Sequence, residues 1–169
     1  RYLGNLKLHD PADGIRPSRL SSEELIEEVD LLGGFIYAAH CTQDSGLLKN
    51  RLNHVWKHPK LRAAQIPGPI DDLTSVEGDF YRKVFLNKDD SYRRERPMAA
   101  INAKDVAKPD DLEQPGASCF IKMTRPNFAA FKVAFLDPGS RIRLNSQQAQ
   151  GPIGKVVRMT VAGGYLDGV

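Results

Sequence analysis

Long apolar runs are missing from this chain. No stretch approaches the roughly 18 apolar residues needed to cross a bilayer, so no membrane span is expected. Cysteine is scarce too, with only Cys41 and Cys119 among 169 residues. That excludes a disulfide framework. Two reduced thiols are the simpler state and favour an intracellular setting, which includes an organellar one, although a single bridge stays open. There is no internal repeat, no low-complexity segment and no visible signal peptide. The chain begins at Arg1 rather than Met, which reads as a fragment or a processed product, so targeting information need not be present.

The length suits one domain, or one domain with a helical extension. Such a chain buries about two-thirds of its unfolded surface without staples. Hydrophobic residues make up 41% and charged residues 27%, both ordinary for a globular protein. The 14 glycines and 11 prolines predict many turns and long connections. The net charge of +3 fits an anionic partner without requiring one.

Residues 1–20 read as an extended arm, with a short strand at Tyr2–Leu8. Residues 21–65 read as helical. Ser21 and Glu24 have capping-box spacing, and Leu25, Val29 and Leu32 make one face. Gly33-Gly34 stops or kinks that helix. Phe35–Cys41 is a second helix or a buried strand. A further helix starts at Asp44 or Ser45, carries Leu48, Leu52 and Val55, and ends before Pro59. Residues 66–116 read as a loop-rich connection, with a short helix or strand at Asp79–Asn87 and one helical turn at Ala99–Ala107.

From residue 117 the period changes to two. Ser118–Thr124, Phe128–Leu136, Arg141–Asn145 and Lys155–Ala162 read as strands. Asp137-Pro138-Gly139-Ser140 is expected to turn two of them into a hairpin. The expected fold class is therefore α+β: N-terminal helices followed by an antiparallel β-sheet or small β-sandwich, one compact domain overall.

Two fragments in Gly33–Gly46 mimic a serine protease, Ala38-Ala39-His40-Cys41 and Asp44-Ser45-Gly46. His40 and Ser45 lie too close in sequence, however. A trypsin-like triad is assembled by an all-β fold from distant residues. Gln43 and Leu47 also stand where glycines would present an oxyanion hole. These are chance matches, and His40 reads as a hydrogen-bonded residue at the edge of an apolar segment. The alternative, an unfamiliar catalytic site around His40, Cys41 and His54, carries little weight.

Cys41, His54 and His58 reproduce the second half of a C2H2 zinc finger, but the first half is absent. Structural zinc needs four ligands, so no metal is expected. Gly151–Lys155 resembles the end of a P-loop. Ala149 replaces its leading glycine, and Val156 stands where a magnesium-binding hydroxyl would be. The acidic pairs Asp71-Asp72, Asp89-Asp90 and Asp110-Asp111 read as solvated loop charge. No catalytic set and no cofactor are expected.

Two basic features remain. Tyr81–Arg96 carries Arg82, Lys83, Lys88, Arg93, Arg94 and Arg96, with Tyr81 and Tyr92 interleaved. Such a segment suits phosphates and bases, or a protein interface. In the four expected strands, parity puts Lys122, Lys132, Arg141, Arg143 and Arg158 opposite the apolar set, as a basic outer face. Ordinary solubility and edge protection explain the same pattern. The expected function is a non-catalytic structural or protein-interaction module, a subunit or domain of a larger assembly that binds other protein subunits. The alternative is a nucleic-acid-binding module that uses the basic face and residues 81–96.

Overall fold

The computed structural model describes residues 19–73, 76–114 and 116–147. All but the last two residues of the expected 1–20 arm, the strands at Tyr2–Leu8 and Lys155–Ala162, Arg158 and the P-loop-like segment lie outside them. Helix α1 spans Ser22–Leu31. Its start follows the expected chemistry. The Ser21 hydroxyl accepts from the Glu24 amide, and the Glu24 carboxylate accepts from the Ser21 amide at 2.8 Å. The Ser21 and Glu24 amides, which have no partner within the helix, are thereby satisfied. Gly33 closes the helix at φ +75°, donating to the Asp30 carbonyl. The face differs by one position: Ile26 is the buried residue, Leu25 and Val29 are half-buried, and Leu32 is exposed.

Three short strands then form a parallel sheet in the order β1-β2-β3. They are β1 at Tyr37–Ala38, β2 at Ala63–Gln65 and β3 at Ala99–Ile101. Tyr37 pairs with Ala63, and Ala63 with Ala99. Between them lie the four-residue helix α2, Asn53–Trp56, and the longer α3, Val76–Phe85. Successive strand residues face opposite sides, and both sides are covered, as parallel sheets require. Ala38 and Ala64 meet a core of Trp56, Leu48, Leu61, Tyr81 and Phe85. Ala63, Ala99 and Ile101 meet a second core with Phe35, Phe131, Phe135 and Ile142. Alanine strands bring both layers close to the sheet.

The last third holds β4, Cys119–Ile121, then α4, Phe128–Ala134, the short α5, Pro138–Arg141, and β5, Ile142–Leu144. β4 and β5 pair antiparallel, with Phe120 opposite Arg143.

The chain thus mixes helices with small sheets, but three of its five described strands are parallel, which corrects the purely antiparallel expectation. The expected strand Phe128–Leu136 is instead helix α4, Phe128–Ala134, followed by a turn. Phe128, Phe131 and Phe135 fit the 3.6 period as well as alternation fits, and Asn127 decides by capping the Ala130 amide at 2.8 Å. Asp137–Ser140 starts α5 instead of closing a hairpin, because Pro138 sits at its first turn. The long helix expected from residue 44 is reduced to α2 after a series of turns. In place of the helical turn expected at Ala99–Ala107, Ala99–Ile101 forms strand β3 and the residues after it are irregular.

Candidate functional site

The carboxyl ends of parallel strands are where open α/β sheets bind ligands. Here they open into a cleft of about 750 Å³. Each strand end delivers part of its lining: His40 after β1, Gln65 and Gly68 at and after β2, and Asn102, Lys104 and Asp105 after β3. Gln43, Asp72, Gln114 and Ser146 complete the polar rim, and the imidazole of His40 is the only aromatic ring among the described lining residues.

His40 is the most constrained of these residues. Its backbone has φ +45°, a left-handed conformation rare outside glycine. Its amide donates to the side-chain oxygen of Gln65 at 2.8 Å. The following turn needs Gly46, where a Cβ would sit 2.2 Å from the His40 carbonyl oxygen. Nε2 lies 3.3 Å from the Asp105 carboxylate. Nδ1 is buried and has no hydrogen-bond partner among the described residues. Backbone strain and a buried ring nitrogen without a partner on one residue are marks of a functional position.

The neighbours are built to hold shape. Asn102 is 3% exposed and donates to the carbonyls of Ile66 and Gly68 at 3.0 and 3.1 Å. This fixes the β2 loop against β3. Lys104 donates to the Gln114 side-chain oxygen. Cys41 is fully buried, and its thiol donates to the Gln65 carbonyl at 2.9 Å. Burial pushes its pKa up to about 12, so it is a structural thiol rather than a nucleophile.

Cys41, His54 and His58 do not converge. Cys41 faces Gln65, while His54 and His58 face Glu23 and Glu27 of α1 at 3.2 and 3.1 Å. Among the described residues no group of His, Cys, Asp and Glu side chains is arranged to hold a metal ion. Ser45 is exposed in the turn between His40 and Gly46.

The basic segment is divided among several roles. Tyr81 and Tyr92 are each 5% exposed, with Tyr92 packed edge-on to Phe80 at 5.3 Å. They are core rings, contrary to the expected stacking surface; in α3, Tyr81 falls on the inward side with Val84 and Phe85. Arg82, Lys83 and Arg93 pair with Asp71, Asp79 and Asp90. Arg94 is turned inward. It donates to the carbonyls of Trp56, His58, Leu61 and Arg96. Burial pushes its pKa down to about 10, which still leaves it a cation at neutral pH. Arg96 and Lys88 are exposed.

Among the described residues the expected basic sheet face is not assembled either. Lys132 lies on α4, where it donates to the Gly33 carbonyl at 2.9 Å, and Arg141 ends α5. Lys122 follows β4, and Arg143 on β5 bonds the carbonyls of Gly139 and Ile142. Sequence reasoning missed Gln65, Asn102, Lys104 and Asp105, whose only local signal was a polar residue directly after an apolar run. Comparison with family models, with curated proteins and with solved structures returned no match, so the cleft is read from its own chemistry.

Proposed function

We propose that the chain is a binding module for a small, hydroxyl-rich polar ligand held at the carboxyl ends of β1, β2 and β3. His40 and Asp105, 3.3 Å apart, form its central polar pair. The observation that carries this reading is His40 itself: strained, anchored to Gln65, paired with a carboxylate through Nε2, and left with an unpaired Nδ1. The amides of Gln43 and Gln114, the hydroxyl of Ser146 and the charges of Lys104, Asp72 and Asp105 suit hydroxyl groups. The absence of an aromatic wall among the lining residues disfavours a stacked base.

The test is a thermal-shift panel of sugars, sugar phosphates and polyols on the wild-type chain, His40→Ala and Asp105→Asn. A member present at 100 times its Kd stabilises the wild type by about 2.7 kcal/mol. That shift should be lost in both variants. If no member shifts the wild type, or if both variants respond as it does, the reading fails.

A second reading is the protein-interaction module. Phe120, Met123, Phe128, Val133 and Leu136 lie on β4, on α4 and just beyond them, and are 37% to 53% exposed. Exposed apolar side chains of that number favour a partner surface. Association measured by light scattering, and its loss in Phe128→Ser, tests it.

A further inference from the structure

The opposite end of the same parallel sheet carries a second depression, of about 440 Å³. Arg62 directly precedes β2, and Arg96-Pro97 shortly precedes β3, so both reach it from the amino ends of the strands. Lys57 reaches it from the loop after α2. Among the described residues no carboxylate pairs with Lys57, Arg62 or Arg96. Nearby Lys60, by contrast, is held by Glu27 and Asp30 at 2.6 and 3.0 Å. Glu95 is the one acid in the lining. Lys60 and Arg94 line it as well, Arg94 with its guanidinium already held by backbone carbonyls, and the apolar part of the wall is Pro59, Pro97, Phe135 and Leu136. Beyond Arg96, Pro97 and Leu136, which both share, a second hollow of about 430 Å³ continues towards Arg143.

We infer that this edge binds a single-stranded polynucleotide, with one unstacked base against Pro97 and Leu136 and phosphates on Lys57, Arg62 and Arg96. Free cations beside an apolar hollow fit a strand whose bases are accessible. A duplex keeps its bases stacked and presents only its backbone. The site is separate from the His40 cleft and shares no residue with it.

The experiment is fluorescence anisotropy of the full chain with short labelled single-stranded DNA, single-stranded RNA and duplex DNA over a salt series. Three phosphate contacts predict a slope of log K against log salt of about −2 for the single strand. Lys57→Gln, Arg62→Gln and Arg96→Gln should each reduce that slope by about 0.7, and the triple variant should lose salt-dependent binding. Asp105→Asn should leave binding unchanged, which separates this site from the cleft. Emission from Trp56 verifies that each variant is folded. Binding of either single strand with these losses supports the site. Failure to bind both, equal or tighter binding of the duplex, or wild-type affinity in a folded triple variant overturns it.

Discussion

Replacing Arg94 by alanine removes a guanidinium that reaches from the β3 approach back to the loop after α2. In the native chain it donates to the carbonyls of Trp56, His58 at 3.1 Å, Leu61 at 2.7 Å and Arg96 at 3.2 Å. These carbonyls lose a charged donor, and each such loss costs about 1 kcal/mol where water partly takes its place. Against that stands the desolvation the cation no longer suffers, whose sign is visible in its lowered pKa. Taken whole, the lowering corresponds to about 3 kcal/mol, and the solvent that still reaches this partly exposed side chain cuts the recovery to about 1–2 kcal/mol. The net expectation is a loss of about 2–3 kcal/mol, or about 5–10 °C in Tm for a chain of this length. Urea unfolding followed by tryptophan emission measures it directly. Trp56 is the single tryptophan, fully buried, and its own carbonyl is one of the acceptors. The m-value should not change, since both native states bury the same core. Arg94→Lys keeps the charge but not the planar fork, and should lose about half as much. An Arg94→Ala variant within about 0.5 kcal/mol of wild type would show that the loop is held by packing alone.

Two further outcomes follow from the same geometry. Gly46→Ala places a methyl 2.2 Å from the His40 oxygen and 2.4 Å from the Cys41 carbonyl carbon. The His40 turn must move, with a stability loss above about 2 kcal/mol and loss of any ligand-induced thermal shift; unchanged denaturation and binding would refute that packing. Cys41, with its thiol pKa pushed to about 12, should resist iodoacetamide in the native protein at mildly alkaline pH. The half-buried Cys119, also raised by burial, should react slowly, and both should react after unfolding. Rapid native labelling of two thiols, read by mass spectrometry, would contradict this burial.

What the sequence determined by itself is local. The Ser21–Glu24 box starts α1 because both partners lie within one turn, and the Gly33-Gly34 stop works for the same reason. The short strands around Cys119–Ile121 and Ile142–Leu144 show their two-residue period. The parallel sheet has no such local mark. Its strands are two or three residues long and built largely from alanine, a weak strand former, and each gains its partner only from a segment more than 20 residues away. Tyr81 and Arg94 look like surface residues when their neighbours are counted, but the facing core and the facing carbonyls turned them inward. His40 was visible as a lone histidine at the edge of an apolar segment. Its pairing with Asp105 and its place at the mouth of a cleft required three strand ends to meet, which only the tertiary structure brings about.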